Sequence, residues 1–73
     1  MNNLNERIRD LRTNNKLTQK QLADVLSVNV LSVQRFEYGT RKPSLENLIA
    51  LADYFNVSID YLVGRTDVKN INE

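Results

Sequence analysis

The chain of 73 residues is long enough for one compact domain, and its 41% hydrophobic and 26% charged residues are typical of a globular protein. It has no cysteine and no histidine, which excludes disulfides, thiolate and imidazole catalysis and the usual zinc ligands, so we expect no enzyme, cofactor or metal site. The net charge is only +1, but the charges are unevenly distributed along the sequence. Eight of the ten cations and four of the nine carboxylates lie in the first 44 residues. This distribution favours a basic surface that faces an anionic partner over a random spread of charge.

The first helix is predicted over residues 3–15 from its apolar spacing. Residues of this stripe recur at positions i, i+4 and i+7: Leu4, Ile8 and Leu11. Charged side chains, including Arg7, are expected on the other faces of this helix. The polar residues that follow, Asn14 and Asn15, favour a turn over continued helix.

Two capping residues predict two further short helices separated by a tight turn. Thr18, followed three residues later by Gln21, forms a capping box that starts helix 2, and this helix should stop at Ser27. Asn29 is the expected N-cap of helix 3, which should end near residue 38. The residues expected to be buried on helix 3 are Val33 and Phe36.

Serine residues cap the last two predicted helices. Ser44 precedes the widest apolar face in the chain, which makes helix 4 the expected central core helix. Its apolar residues are Leu45, Leu48, Ile49, Leu51, Ala52 and Phe55. Ser58 caps helix 5, which should end at Gly64. We expect residues 1–66 to form the domain and residues 67–73 to be a flexible C-terminal tail with little to bury.

The segment from Leu17 to about Tyr38 has the pattern of a helix-turn-helix, a motif in which a second helix keeps one face free for the major groove of DNA. At 100° per residue, several side chains of helix 3 lie opposite Val33 and face away from the core. They are Leu31, Gln34, Arg35 and Tyr38. Asn29 and Val30 lie at the N-terminal end of the helix, which usually approaches the base edges.

The run LTQKQLADVLSVNVLSVQRFEYGTRKPSLENLIALADYFNVSIDYLVGR, preceded by IRDLRTNNKLTQ, resembles the Xre-type helix-turn-helix family of lambda-type phage repressors and Cro. The resemblance extends over about Leu4 to Arg65. It implies an all-α, compact five-helix, lambda-repressor-like DNA-binding domain in which helices 2 and 3 form the helix-turn-helix. It further implies a sequence-specific regulator of transcription, most often a repressor, that inserts helix 3 into the major groove of double-stranded DNA as a homodimer.

The resemblance assigns roles position by position. The base-reading residues would be Asn29, Val30, Leu31, Gln34 and Arg35. The phosphate-binding residues would be Thr18, Gln19, Tyr38, Thr40, Arg41 and Lys42. The dimer interface would contain Tyr54, Val57, Ile59, Tyr61 and Val63. Among the base contacts, arginine suits guanine, glutamine suits adenine, and an apolar side chain suits a thymine methyl group.

Several of these residues also have a structural interpretation. Arg12 and Glu37 occupy positions that form an ion pair in the family, which favours a structural role for both. Val30 lies about 60° from Val33 and could extend the core, and Gln34 could be an ordinary solvated side chain. Ser27 stands where the family usually has glycine, and a positive φ there would cost serine roughly 1 kcal/mol.

An alternative function is a protein-interaction module of the antitoxin or antirepressor type on the same fold. The apolar pair of Val30 and Leu31, expected to be exposed, favours this alternative. In either case a protein antagonist is possible. No apolar run approaches the ~18 residues that span a bilayer, and the N-terminus lacks a signal-peptide pattern, so we expect a cytoplasmic protein with no membrane partner.

Overall fold

The computed structural model describes residues 3–69, and these form five α-helices. The helices are α1 (Leu4–Asn14), α2 (Gln19–Leu26), α3 (Val30–Tyr38), α4 (Leu45–Phe55) and α5 (Ile59–Leu62). No strand occurs among residues 3–69. The predicted all-α, five-helix fold is therefore confirmed.

Each helix begins at a polar residue whose side chain accepts a hydrogen bond from the backbone N–H three residues later. These N-caps are Asn3, Thr18, Asn29, Ser44 and Ser58. The side-chain oxygen satisfies one of the backbone donors that a helix leaves unpaired at its N-terminus. The four caps predicted from the sequence, at residues 18, 29, 44 and 58, are confirmed.

The centre of the core is shared by all five helices. Its largest fully buried side chains are Ile8, Leu22, Val33, Phe36, Leu51 and Leu62. α2 packs mainly against α3, and α1 lies against both α3 and α5. These contacts attach the α2–α3 pair to the rest of the domain through both of its helices.

α4 is not the central core helix that its apolar face suggested. Only Leu51 and Ala52 of this helix are buried, whereas Leu45 is 68% exposed and Ile49 is 44% exposed. The helices that α4 packs against are α2 and α5. Part of its apolar face therefore remains uncovered in a single chain.

Arg7, expected on a face of the first helix away from its apolar stripe, is nevertheless buried. The side chain is 4% exposed, and Nη1 donates to the carbonyls of Tyr61, at 2.6 Å, and Thr66, at 2.7 Å. Nη2 forms an ion pair with Asp67 at 2.7 Å, and the guanidinium lies 4.0 Å from the centre of the Tyr61 ring. Arg7 therefore joins α1 to α5 and to the chain that follows α5.

The segment after α5 is attached to the domain as far as it is described. Besides the contacts with Arg7, the backbone N–H of Ser58 donates to the carbonyl of Lys69 at 2.8 Å. These contacts extend three residues beyond the predicted domain boundary at residue 66. The flexibility of residues 67–73 stays a prediction, and residues 70–73 lie outside the described part of the chain.

None of the helices within residues 3–69 is long and apolar enough to cross a membrane. The longest, α1 and α4, have 11 residues each.

Candidate nucleic-acid interface

α2 and α3 are joined by a turn of three residues. Ser27 ends α2 in the left-handed conformation, with φ 57° and ψ 41°. The N–H of the next residue, Val28, donates to the carbonyl of Ala23 at 3.0 Å, and Asn29 then caps α3. The turn thus has the backbone geometry that favours glycine, although serine occupies it, and the strain is about 1–2 kcal/mol.

α3 has one buried face and one exposed face, as the helical spacing predicts. Its buried side chains are Ser32, Val33, Phe36 and Glu37. On the opposite side Leu31 is 46% exposed and Tyr38 is 82% exposed, with Arg35 exposed between them. Gln34 is half-buried at the edge of this face. The exposed face of α3 combines cationic, amide, aromatic and apolar side chains, types that suit guanine, adenine and the thymine methyl group in a major groove.

Val30 does not form an exposed apolar pair with Leu31. Its side chain is half-buried and packs against the core cluster. The interpretation of Val30 as an extension of the core therefore agrees with the structure, and Leu31 alone presents a large apolar surface at this end of α3. An apolar surface of one side chain is too small to indicate a protein-docking site.

The carboxylate of Glu37 joins α1, α2 and α3. Oε2 accepts from Arg12 Nε at 2.6 Å, and Oε1 accepts from Arg12 Nη2 at 3.1 Å. Arg12 also donates to the carbonyl of Leu17 at 2.9 Å, just before α2 begins. The side chains of the ion pair are 14% and 5% exposed for Arg12 and Glu37. The ion pair implied by the family resemblance is thus present, and its geometry is bidentate, which is the stronger form of such a pair.

Gln19 is held by the same carboxylate. Its Nε2 donates to Glu37 Oε1 at 3.2 Å, which uses one of the two amide hydrogens. The other hydrogen is available to an acceptor outside the protein. Gln19 lies on the first turn of α2, where free backbone N–H groups and the helix dipole also favour an anion.

Thr18 forms the predicted capping box with Gln21. Its Oγ1 accepts from the Gln21 N–H at 3.0 Å, while Gln21 Oε1 accepts from the Thr18 N–H at 2.8 Å. The hydroxyl of Thr18 therefore keeps its own hydrogen for a further acceptor. Thr18 and Gln19 together present donors at one end of the helix-turn-helix.

An open cleft of about 430 Å³ lies between α1 and the α2–α3 pair. Its lining residues are Arg9, Arg12, Gln19, Gln34, Glu37 and Tyr38. The cleft thus brings together Gln19 and Tyr38, predicted to bind phosphate, and Gln34, predicted to contact a base. Arg9 is exposed in this cleft but was not among the predicted site residues. Its spacing three residues before Arg12, which puts both on one side of α1, is the signal that could have identified it.

The loop after α3 brings a second set of donors to the same side of the domain. Gly39, with φ 82°, ends the helix, and the N–H groups of Gly39 and Thr40 donate to the carbonyl of Arg35. Arg41 Nη1 donates to the hydroxyl of Ser32 at 3.2 Å, which ties the loop to α3. Arg41 and Lys42 are both exposed.

The five predicted dimer residues divide into two groups. Val57 and Tyr61 are 2% and 9% exposed and belong to the core of the single chain. Tyr54, Ile59 and Val63 are 50%, 37% and 39% exposed. Ile49, which was not among the predicted interface residues, lines a shallow depression together with Ile59.

Comparison with known proteins gives a consistent result. The helix-turn-helix family model matches residues 8–62. The HTH-type transcriptional regulator YobD of Bacillus subtilis is 40% identical over 62 residues, which cover 85% of this chain and 55% of that protein. The cryptic phage CTXphi transcriptional repressor RstR of Vibrio cholerae is 37% identical over 62 residues, again 85% of this chain and 55% of that protein. The chain thus spans about half the length of these two curated relatives.

A solved structure shares both fold and sequence with the chain. The P22 c2 repressor, in complex with a synthetic operator, has a TM-score of 0.80 and is 32% identical to it. The similarity covers 86% of this chain and 96% of that one.

Proposed function

The chain belongs to the Xre-type helix-turn-helix family of transcription regulators, which are not enzymes, and from this premise we propose that it is a sequence-specific repressor. In this proposal a homodimer binds double-stranded operator DNA, and each copy inserts α3 into the major groove. The observation that carries the proposal is the exposed face of α3, which lies between two groups of side chains that can bind phosphate. The relatives that are repressors, RstR and P22 c2, support the direction of regulation.

The base contacts come from α3 in this proposal. Arg35 pairs bidentately with guanine, and Leu31 contacts a thymine methyl group. Gln34, half-buried beside the cleft, is close to both the bases and the phosphates. A base pair mismatched to such contacts typically costs about 1–3 kcal/mol of binding free energy.

The phosphate contacts flank α3 on both sides. Thr18 and Gln19 bind one phosphate group through their free hydrogens and the N-terminus of α2, and Arg9 reaches the same strand from α1. Tyr38, Thr40, Arg41 and Lys42 bind the next phosphates along the strand. Phosphate contacts carry no sequence information but fix the position and orientation of α3 in the groove.

The homodimer uses the uncovered apolar surface of α4 and α5. Ile49 follows Leu45 by four residues on α4, so these two side chains lie within about 40° of each other around the helix. Ile59 is the first residue of α5, and Val63 directly follows its last residue. These four side chains range from 37% to 68% exposed. Apolar side chains on two adjacent elements suit a small two-fold interface in which the same patch meets its copy. An interface of this size makes association depend on protein concentration and on the operator.

Selection of binding sites from random double-stranded DNA tests the proposal. We expect one enriched sequence with two related half-sites, bound about 10³-fold or more tighter than scrambled DNA in fluorescence anisotropy. Arg35→Ala should weaken binding to this operator by about 1–3 kcal/mol, because it removes a base contact. Arg65→Ala is the matched control, since Arg65 is 77% exposed beyond α5, and it should leave the affinity unchanged.

An absence of any enriched sequence at moderate salt, together with equal affinity of the wild type and Arg35→Ala for all DNA, would contradict the proposal. That result would favour the alternative of a protein-interaction module, with Leu31 as its exposed apolar contact.

A further inference from the structure

A network of three side chains connects the loop after α3 to the N-cap residue of that helix. Arg41 Nη1 donates to Ser32 Oγ at 3.2 Å, and Ser32 Oγ lies 3.0 Å from Asn29 Oδ1. The backbone N–H of Ser32 donates to the same Asn29 oxygen at 2.8 Å. Ser32 is only 6% exposed, whereas Asn29 and Arg41 are exposed. The network therefore has a buried centre and two ends that DNA can reach.

The chemistry of the groups fixes the direction of every hydrogen bond in this network. A guanidinium can only donate, so Ser32 Oγ accepts from Arg41 and gives its own hydrogen to Asn29. A backbone N–H can also only donate, so the Asn29 atom that it contacts must be the oxygen and not the nitrogen of the amide. Two donors thus occupy the two lone pairs of Oδ1. The Nδ2 group, with its two hydrogens, is left to face outward.

We infer that Asn29 contacts DNA only as a hydrogen-bond donor, and that Ser32 is the positioning residue that enforces this by tying Asn29 to Arg41. The acceptor is either a base-edge acceptor, such as guanine O6 or N7 or thymine O4, or a phosphate oxygen. The bidentate pair that asparagine commonly makes with adenine is excluded, because it requires a free Oδ1 to accept from the adenine amino group. This inference rests on the proposed function, since it specifies what one of its base-reading residues recognises.

The network also links two contacts that would otherwise be independent. The Arg41 guanidinium that would bind a phosphate also donates to the Ser32 hydroxyl, and this hydroxyl orients Asn29. Loss of the Ser32 hydroxyl should therefore weaken the contacts of both exposed residues, although Ser32 itself does not touch DNA. Networks of this kind give coupling energies that only a double-mutant cycle can separate.

The first test replaces the amide while keeping the helix cap. Asn29→Ser retains a side-chain oxygen that can cap α3 but removes both Nδ2 hydrogens, and its hydroxyl ends one atom closer to the backbone than the amide group that it replaces. We expect about a tenfold loss of affinity for the selected operator, the usual effect of one lost hydrogen bond to a ligand, with little change in melting temperature. Asn3→Ser is the matched control, because it makes the same change at the N-cap of α1, and it should change neither quantity.

Binding to variant operators then identifies the acceptor. If Asn29→Ser loses affinity through one base pair alone, the acceptor is a base edge; an equal loss on all sequences identifies a phosphate. Both results support the inference. Unchanged affinity would overturn it. Evidence that Asn29 accepts a hydrogen bond from an adenine amino group would also overturn the inference. The test replaces single adenines of the operator by purine, which lacks this amino group. A replacement that weakens binding of the wild type but not of Asn29→Ser would be such evidence.

The second test concerns Ser32. Ser32→Ala should lower operator affinity about threefold to tenfold, and this loss should be much smaller in an Arg41→Ala background. Equal losses in both backgrounds would overturn the positioning role of Ser32. If the wild type binds selected and scrambled DNA equally, the proposed function fails, and this inference fails with it. If the wild type prefers its operator but Asn29→Ser binds that operator equally well, only this inference fails.

Discussion

The buried carboxylate of Glu37 positions side chains of the proposed DNA-binding surface, although Glu37 itself is not exposed on that surface. It is nearly inaccessible, yet it fixes Arg12 at the end of α1 and Gln19 at the start of α2. Burying the charged carboxylate of Glu37 is unfavourable, and its bidentate pair with Arg12 and the hydrogen bond from Gln19 compensate for this loss of hydration. The same contacts hold Arg12 and Gln19 at fixed positions beside α3. Glu37 is therefore a structural residue whose removal would also disturb the phosphate contacts.

Loss of Arg12 tests the strength of this pair. Arg12→Ala should lower the free energy of unfolding by about 3 kcal/mol, because the carboxylate of Glu37 stays buried without its charged partner. Urea denaturation measures the change. Lys20→Ala is the control, since the Lys20–Asp24 pair is 71% and 63% exposed, and it should cost under ~0.5 kcal/mol. Similar losses in the two variants would contradict the structural role of the Glu37 pair.

Lys42 tests the separation of phosphate contacts from base contacts. Lys42→Ala should weaken binding to selected and scrambled DNA by the same factor and reduce the slope of log affinity against log salt by about 1. Titrations at several salt concentrations measure both quantities. Lys69→Ala, beyond α5, should leave the slope unchanged. A loss confined to the selected operator would instead make Lys42 a base contact.

Individual residues also mark where sequence reasoning succeeds and where it stops. The caps at Thr18 and Asn29 were predictable because a cap depends on residues within one turn of it. Burial of Arg7 was not predictable, because its partners Tyr61, Thr66 and Asp67 are 54 to 60 residues away in the sequence. Val30 was ambiguous for the same reason, since the helical angle alone does not say how much of the core reaches it.

The turn between α2 and α3 is the element on which the position of α3 depends. Only three residues separate the two helices, and Ser27 carries the positive φ. The resemblance left two outcomes open here, a strained serine or a different turn, and Ser27 adopts the left-handed backbone that glycine usually has at this position. The exposure of Leu45 and Ile49 on α4 could not be predicted in the same way, because an apolar face indicates what a helix could bury and not what is available to cover it.

Substitution of Ser27 tests the strain in this turn. Ser27→Gly should raise the free energy of unfolding by about 0.5–1 kcal/mol, because glycine adopts positive φ without steric cost and this gain exceeds its larger loss of entropy. Ser44→Gly is the control at negative φ, where the change removes a capping oxygen and should destabilise slightly. Thermal or urea unfolding of both variants measures the difference in sign. Destabilisation by Ser27→Gly would show that the turn does not hold Ser27 in strain.

The whole molecule has two functional sides in this account. The side formed by α2, α3 and the following loop carries the DNA contacts in this account, and the uncovered apolar residues of α4 and α5 that line one depression, Ile49 and Ile59, form the other side. Separation of the two sides lets a dimer form while both copies of α3 stay free. The excess of cations in the first 44 residues agrees with this arrangement, because that part of the chain contains α1 to α3 and the basic loop.

Two variants of α4 test the dimer surface. Ile49→Lys should prevent two copies from binding cooperatively to the operator, because the charge would be buried in the interface. Tyr54, which the family resemblance assigns to the interface, is 50% exposed but lies about 140° around the helix from Ile49. If the interface is centred on Ile49, as proposed, Tyr54→Lys should preserve cooperativity. Analytical ultracentrifugation with operator DNA measures the stoichiometry. The reverse result would place the interface on the Tyr54 face.

Chemical protection of the selected operator tests the central claim most directly. If two copies insert α3 into the major groove, the protein should protect guanine N7, which lies in the major groove, in two patches about 10 base pairs apart on one face of the duplex. Adenine N3, which lies in the minor groove, should remain reactive within these patches. Protection of adenine N3 instead of guanine N7, or uniform protection along the fragment, would contradict the proposal.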